Sequence, residues 1–248
     1  MGNISSDDPD CGRELNVKTF RLLGAGVVAL LCSTAVWAET VSSNAFAEQT
    51  QLSLNVVGVG ADVSSTGPSP GVMESSSNSY GPVQQQSAGI SSSLLGGQAG
   101  VSTGILIANT QYNNASHHVQ ALGEVADPLV DLNVLTLLRL GLSADAIAGY
   151  SQISGHCGQL QAQGSATLTN AVLAVSGTNL PLPVSPPPNT PINVNALGLA
   201  GVSLILNEQV ITGDGVTERA ISVNALRLNL AINLALINVN GSIVFGHS

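Results

Sequence analysis

The stretch Leu226–Leu236 (LRLNLAINLAL) decides the fold of this chain. Every even position in it holds a leucine or an isoleucine, and the residues between them include Arg227, Asn229 and Asn233. Successive side chains of an extended strand point to opposite faces, so this spacing turns one apolar face towards a core. A helix would spread the same leucines around its whole circumference. We therefore predict a β-strand.

The flanking sequence predicts the partners of this strand. After it, apolar residues continue on odd positions from Ile237 to Phe245, and this change of phase predicts a bulge or turn near Asn238–Gly241. Before it, Thr212-Gly213-Asp214-Gly215 predicts a hairpin tip between Val202–Ile211 and Ala220–Leu236.

The same alternation recurs along the chain, and proline-rich sequence interrupts it. We expect common faces for three further sets of residues, namely Leu138, Leu140, Leu142, Ala144, Ala146 and Ala148; Leu168, Val172 and Ala174; and Leu52, Leu54 and Val56, followed by Val57, Val59 and Ala61. The prolines of segment 181–191 predict a stiff link that lies outside any sheet. The predicted fold is all-β, an antiparallel β-sandwich or jelly roll. A β-solenoid is the alternative, although no fixed repeat period is present.

Composition restricts the partners. The 248 residues carry a formal net charge of −9, and beyond position 38 the only basic residues other than histidine are Arg139, Arg219 and Arg227. Nucleic acids are bound through clustered lysines and arginines, so we expect no nucleic-acid partner. Aromatic residues make up 3% of the chain, which disfavours stacked sugar platforms and aromatic interface hot spots.

The N-terminal residues are typical of an export signal. Lys18 and Arg21 precede an apolar run that ends before the small-residue cleavage site at Ala38, and Ala47 is a second candidate for cleavage. Four acidic residues before Val17 suggest that translation starts at that valine. We expect three segments: an export leader at 1–38, Ser/Gly/Gln-rich strands and loops at 39–100 that form the N-terminal part of the domain, and the main all-β domain at 101–248. The product is expected at the cell surface, in the periplasm or in the medium, with no membrane span after cleavage.

Several residues of reactive type are expected to have no catalytic or metal-binding role. Cys157 is the one cysteine left after cleavage, so it has no intramolecular partner and is read as a small buried residue. The Gly-x-Ser-x-Gly matches at 67–71 and 100–104 lack the strand-turn-helix context of a hydrolase elbow. His117, His118, His156 and His247 show no metal-binding spacing. We expect no cofactor, no metal and no catalytic residue.

Carboxylates provide the remaining candidates. Glu208 follows apolar residues at 202, 204 and 206, so a continued alternation would turn it into the core. We expect it to pair with Arg219 or Arg227, with Arg219 nearer if the hairpin is centred on Asp214. Glu124, Asp127 and Asp131 form the densest acidic group and are interpreted as solvated charges rather than calcium ligands.

The segment from about Val101 onward resembles the choice-of-anchor P family. The resemblance is carried by Leu204–Gln209 (LILNEQ), Val223–Leu228 (VNALRL) and Ser242–Ser248 (SIVFGHS), with Leu142–Ala146 as a further match. The motif residues are Asn207, Glu208, Gln209, Asn224, Ala225 and Arg227. The resemblance implies a bacterial exported domain joined in different relatives to different surface anchors, with no established activity. This sequence shows no anchor signal after Ser248, so release or periplasmic residence is expected.

These observations predict a noncatalytic exported structural or interaction protein. The strand Leu226–Val239 carries only Arg227 as a charge, and as an exposed edge it would add partner strands or self-associate. Two alternatives remain: a secreted hydrolase that uses Glu208 with an acid from Glu124–Asp131, and a carbohydrate-binding or adhesion module.

Overall fold

The structure is a computed structural model of the whole chain. It describes residues 2–6, 39–56, 58–68, 71–73, 78–85, 89–94, 97–134, 138–156, 158–197, 199–235 and 237–248. The predicted leader, apart from residues 2–6, lies outside the described residues, as does Cys157.

The described residues are built from β-strands and two short 3-10 helices, Asn114–Ser116 and Val194–Leu197. The strands are β1 (Gly2–Ser6), β2 (Glu39–Asn44), β3 (Phe46–Val56), β4 (Val59–Thr66), β5 (Gly71–Met73), β6 (Asn78–Gln85), β7 (Gly89–Leu94), β8 (Gly97–Ser102), β9 (Leu106–Asn113), β10 (His118–Ala126), β11 (Leu129–Val134), β12 (Leu138–Ser143), β13 (Ala146–Ser154), β14 (Gln161–Thr169), β15 (Val172–Val175), β16 (Thr178–Pro181), β17 (Thr190–Ile192), β18 (Val202–Thr212), β19 (Glu218–Leu234) and β20 (Ile237–His247).

These strands form three antiparallel sheets. In sheet I the strand order is β4-β3-β20-β19-β1-β2-β5. In addition, β19 pairs with β18, and β18 pairs with β17. Sheet II has the order β14-β13-β10-β9-β6, and sheet III has the order β16-β15-β12-β11-β8-β7. Sheets I and II pack face to face, with β13 and β14 over β19. The predicted all-β antiparallel sandwich is confirmed, and every strand pair in the described residues is antiparallel, unlike the stacked coils of a solenoid.

Sheets II and III are two arms of one meander. The chain crosses between them at Thr103–Ile105, Asp127-Pro128, Ala144-Asp145 and Asn170-Ala171. These crossings lie side by side, because the amide of Asp127 donates to the carbonyl of Asp145 (2.9 Å) and the amide of Asp145 donates to the carbonyl of Thr169 (2.9 Å). Asp127 and Asn170 have positive φ (47° and 51°), a conformation that Asn and Asp tolerate better than most residues.

The crossings overturn two predicted faces. Leu140, Leu142 and Ala144 are buried as expected, but beyond Asp145 the buried residues are Ile147 and Gly149, so Ala146 and Ala148 face outward. In the next strand pair the predicted face of Leu168, Val172 and Ala174 also breaks, because Leu168 is buried whereas Val172 and Ala174 are half-buried. At each crossing two consecutive residues face outward. The inward face therefore changes from even to odd positions, or the reverse, whereas the predicted faces assume that it stays the same.

The predicted strand Leu226–Leu236 lies at the centre of sheet I as part of β19. Leu226, Leu228, Leu230 and Ile232 are buried, whereas Leu234 is exposed and residue 236 lies outside the described residues. The odd-position run of β20 is also confirmed, since Ile237, Val239, Ile243 and Phe245 are buried. The two strands, however, are paired up to Leu234 and Ile237, so the chain reverses before β20 begins, and Asn240-Gly241 is inside β20.

The central position of β19 corrects the prediction that Leu226–Val239 is an exposed edge. β18 pairs with one side of β19, and β20 and β1 pair with the other. The backbone amides and carbonyls of β19 are therefore already paired on both sides, and β19 cannot add a strand from a partner. The free edges of the described sheets belong to other strands.

The remaining sequence predictions are met in part. Leu52, Leu54 and Val56 are buried, but Val59 is exposed in β4 and residue 57 is not described. Residues of the predicted 39–100 segment take part in all three sheets, so this segment belongs to the same fold as the rest. The proline-rich link contributes Pro181 and Pro191 to the edge strands β16 and β17, where a missing amide is tolerated.

Candidate functional site

The predicted site residues meet on the outer face of sheet I, at one end of β18 and β19. Asn207 is 3% exposed and has φ 49°, and this conformation interrupts the alternation of β18. Leu206 and Asn207 both face inward, so Glu208 turns outward instead of into the core. The expectation of a core-facing Glu208 is therefore wrong, and the cause is the left-handed residue that precedes it.

Glu208 is paired, as expected, but with Arg227. Its carboxylate accepts hydrogen bonds from Arg227 Nη1 (3.2 and 3.3 Å) and from Asn224 Nδ2 (2.6 Å). Arg219, the partner expected to be nearer, donates instead to the carbonyl of Gly213 (3.2 Å). The reason is the register, since Glu208 is opposite Asn224 and the hairpin centre is two residues beyond Asp214.

The loop between β18 and β19 is longer than a tight turn because Asp214 organises it. The Asp214 carboxylate accepts hydrogen bonds from the amides of Val216 and Thr217 (2.7 Å each) and from the Thr217 hydroxyl (2.8 Å). These bonds hold the pKa of Asp214 well below its usual range. The predicted hairpin tip is thus in the right place but longer than expected.

A histidine extends the polar row across the sheet. Glu208, Asn224, His247 and Phe46 are opposite one another on four neighbouring strands. His247 Nδ1 lies 2.6 Å from Asn224 Oδ1, and its ring stacks on Phe46 with centroids 4.1 Å apart. Because Asn224 Nδ2 donates to Glu208, its Oδ1 is the acceptor, so His247 carries its proton on Nδ1. Burial lowers the pKa of His247 to about 3, which keeps the ring neutral at physiological pH.

The next row of this outer face is mixed and contains Ile205, Arg227, Val244 and Gln49, and beyond it the outer face of sheet I carries mainly amides and hydroxyls. We name this surface the polar face; its three cross-strand rows are Ser203, Asn229, Ser242, Gln51 and Ser64; Asn240, Ser53 and Asp62; and Asn233, Asn238 and Asn55. Asp62 is the one charged residue among them. The rows therefore present donors and acceptors without a strong field of either sign.

The polar face contains a shallow depression at Gly241. Gln51, Ser53, Asp62, Ser64 and Asn240 line it. A side chain at Gly241 would overlap the carbonyl of Gln51, so glycine is required for the approach of β20 to β3. The depression thus combines amide, hydroxyl and carboxylate groups within one patch.

The structure separates the carboxylates that the hydrolase alternative requires. Glu124 lies on β10, where the residues of odd number face sheet I and Glu124 faces away from it. Asp127 and Asp131 are exposed at the crossing and on β11. Glu208 is on the opposite outer face, so the described geometry does not bring it together with this group.

The other candidates are dispersed. Within the described residues no group of three or more His, Cys, Asp or Glu side chains is placed to hold a metal ion. His117 and His156 lie together, with ring centroids 4.2 Å apart. The match at 100–104 leads from β8 into strand β9 rather than into a helix, and part of the match at 67–71 is outside the described residues. Among the described helices, none has the length and apolar character needed to span a membrane.

The other motif residues of the resemblance have structural partners near the same place. Asn207 Nδ2 donates to the carbonyl of Pro186 (2.8 Å), and Gln209 Nε2 donates to Asn207 Oδ1 (2.9 Å). Asn189 Oδ1 accepts the amide of Gln209 (2.8 Å), so this side chain replaces a neighbouring strand. Ala225 is fully buried opposite Asn207. These contacts hold the proline-rich link against the edge of sheet I.

Sequence reasoning missed Glu48, a carboxylate inside the fold. Glu48 is 1% exposed and accepts hydrogen bonds from the hydroxyls of Thr50 and Ser65. Burial raises the pKa of Glu48, although these hydroxyls act in the opposite direction. The signal was present in the sequence, because Glu48 and Thr50 share the even positions of Leu52 and Leu54.

We compared the chain with protein-family models, with curated proteins and with solved structures, and no match was found in any of the three.

Proposed function

We propose that the protein is a noncatalytic, exported structural or interaction protein that makes contacts through the polar face of sheet I. The observation that carries this proposal is the set of three cross-strand rows of Asn, Ser and Gln around Asp62. A surface without a strong charge or aromatic anchors binds through many modest hydrogen bonds, which suits a repeated or extended partner.

The glutamate–asparagine–histidine row supports a structural role at the end of this face. Glu208 is held by Arg227 and Asn224, and Asn224 holds His247. Each of these bonds links neighbouring strands and so fixes their register. The resemblance to choice-of-anchor P domains, whose motif residues take part in this row, is consistent with the same proposal.

The proposal is tested by site-specific photo-crosslinking in the cells that make the protein. A photoreactive residue placed at Gln51 or Ser64 should form adducts with one recurrent partner, whereas the same residue at Asn179, an exposed position on β16, should not. Adding Ser53→Glu should remove the adducts at Gln51, because it places a second carboxylate directly opposite Asp62 within the polar face. Adducts of equal yield at Asn179, or none at the polar face, would contradict the proposal.

A carbohydrate-binding module is the second candidate, and the depression at Gly241 favours it. The depression is lined by the amide groups of Gln51 and Asn240 and by the carboxylate of Asp62. These groups can form hydrogen bonds with sugar hydroxyls. A glycan array decides between the two candidates. Binding to one glycan class that is lost in Asp62→Ala, with Thr178→Ala on β16 as the control, would replace the general proposal by this one.

A further inference from the structure

The edge of sheet II formed by β14 has backbone groups that face outward. On one side β14 pairs with β13 along its whole length. On the other side the amide of Leu160 donates to the carbonyl of Gly215 (2.9 Å), and the amide of Leu168 donates to the carbonyl of Val184 (2.8 Å). Residues two apart in a strand have amides that point the same way, so the even-numbered residues of β14 face away from β13.

Between these two contacts the edge is open. The outward backbone groups of Ala162, Gly164 and Ala166 have no hydrogen-bond partner among the described residues. No residue from Gln161 to Thr169 is charged or a proline, the two devices that usually protect a free edge. Within the described part of the chain, this segment is therefore a free template for one more strand.

The two ends of the opening are closed by the protein itself. Segment 182–184 continues along the edge, with the amide of Leu182 donating to the carbonyl of Ala171 (2.8 Å), until Pro186–Pro188. Prolines lack the amide needed to continue such pairing. At the other end the loop that contains Gly215 covers Leu160. The opening thus accommodates an extended segment of about five residues.

Exposed aliphatic side chains flank the opening. Val184 and Val216 stand at its two ends and are 57% and 46% exposed. Along its side, Gln209 packs against Gly164, and Ile211, which shares the inward face of β18 with Gln209, lies beside the same edge and is 44% exposed. Three of the exposed large apolar residues of the described chain therefore lie at one strand edge.

We propose that this edge is a docking site for an extended, uncharged segment of a partner protein, which adds to β14 as a short strand. The main-chain groups of Ala162, Gly164 and Ala166 hold the backbone of the segment, and its alternate side chains pack on Val184, Ile211 and Val216. An uncharged segment fits because the opening has no charged side chain that could pair with a charge on the segment. This surface is separate from the polar face, so the inference goes beyond the proposed function.

A second copy of the chain fits the opening less well. If two β14 strands paired around Gly164, Leu160 of one copy would be opposite Leu168 of the other. Those positions are occupied by the Gly215 loop and by segment 182–184. Two copies would also repel each other, because each has a formal net charge of −9. A short segment without flanking structure meets neither obstacle.

The test uses the full chain and the peptide acetyl-Thr-Val-Ser-Val-Thr-amide, followed by residue-resolved amide hydrogen exchange. At saturating peptide, exchange at Ala162, Gly164 and Ala166 should slow at least about tenfold, as expected for one added hydrogen bond each. Gln163 and Ser165 should not change, because their amides already face β13. The fully N-methylated peptide, which cannot donate, is the matched control and should have no effect.

Two variants make the result specific. Ala162→Pro removes one outward amide without touching the β13 ladder and should weaken peptide binding about tenfold, with thermal unfolding as the check of folding. Ile211→Lys places a charge beside the opening and should weaken binding without altering β14. No protection by the peptide, or unchanged binding in both variants, would overturn the proposal. Protection that rises with protein concentration alone would assign the edge to a second copy and overturn the choice of occupant. All of these outcomes leave the crosslinking test of the polar face unaffected.

Discussion

Glu48 shows at the residue scale how the fold tolerates a carboxyl group in its interior. Its described partners are the hydroxyls of Thr50 and Ser65, which donate hydrogen bonds but supply no positive charge. A buried carboxylate without a cation favours its protonated form. Burial therefore raises the pKa of Glu48, while the hydroxyls of Thr50 and Ser65 hold its carboxyl group between β3 and β4.

We predict that Glu48→Gln becomes more stable relative to the original protein as the pH rises. The folded-state pKa of Glu48 is raised above 4.5, so its contribution to stability is complete below that value and is lost as the pH rises through the folded pKa. At pH 8 we expect the variant to melt about 2–4 °C higher, which corresponds to roughly 1 kcal/mol at this chain length. At pH 4 the two proteins should melt alike.

The measurement is the difference in melting temperature between the two proteins across this pH range. His247 titrates with the opposite sign, because its lowered pKa removes stability as the pH falls from 6.5 towards 3. Both proteins retain His247, so its effect cancels in the difference. A variant that is less stable at pH 8 than at pH 4, relative to the original, would contradict the assignment of Glu48.

The ion pair between Glu208 and Arg227 should make a small contribution to stability. The two side chains are 17% and 41% exposed, so solvent screens their attraction. A double-mutant cycle with Glu208→Gln and Arg227→Met should give a coupling of about 0.5–1 kcal/mol. Chemical denaturation of the four proteins measures it. A coupling near zero would mean that the row does not tie β18 to β19.

Glycines at the element scale set how closely sheets I and II approach. A side chain at Gly149 of β13 would overlap the carbonyl of Gly246, and one at Gly123 of β10 would overlap the carbonyl of Phe46. Gly149 and Gly123 are opposite each other in sheet II. They leave room for the backbone of sheet I at the place where its strands change phase.

We predict that Gly149→Ala destabilises the fold by at least about 2 kcal/mol, because the added methyl group must displace backbone rather than a side chain. Gly141→Ala on β12 is the matched control, since its new methyl group would lie 3.6 Å from Ala174 in ordinary contact. Urea unfolding of both variants provides the comparison. Equal effects of the two substitutions would show that the sheets are not in close contact at Gly149.

Elements with uninterrupted alternation could be predicted from the sequence, and those with a change of phase could not. The even positions from Leu226 to Ile232 and the odd positions from Ile237 to Phe245 were predicted correctly. Within each of these stretches, inward and outward side chains alternate without interruption. Asp145 and Asn170 reverse the phase through crossings that depend on neighbouring strands. Such crossings are set by tertiary hydrogen bonds and leave little trace in local spacing.

The candidate site was predicted in its residues but not in its geometry. The sequence singled out Glu208 and two arginines, and the pair is formed with Arg227. It did not reveal that Asn207 would adopt a positive φ and turn Glu208 outward. The Asn207 side chain is held by a hydrogen bond that it donates to the carbonyl of Pro186 and by one that it accepts from the side chain of Gln209. Pro186 is distant in sequence, so this contact cannot be read from local spacing. The place of His247 in the row follows only from the pairing of β19 with β20.

Export is the prediction that concerns the whole molecule. If the leader is removed after Ala38, the mature chain begins at Glu39 and lacks β1, whose place beside β19 is then vacated. Cell fractionation with intact-mass measurement should find a species that starts at Glu39 outside the cytoplasm. A full-length cytoplasmic species would contradict both the leader and the proposed compartment.

The central claim about the whole molecule is that β19 is the innermost strand on which both the core and the polar face are built. Residue-resolved hydrogen exchange of the unliganded protein tests this claim most directly. The account predicts that amides from Leu226 to Ile232 exchange slowest of all, at the rate of global unfolding, while the outward amides of β14 exchange fastest among the strands. If β19 exchanged as fast as β14, the central position of β19 would be wrong.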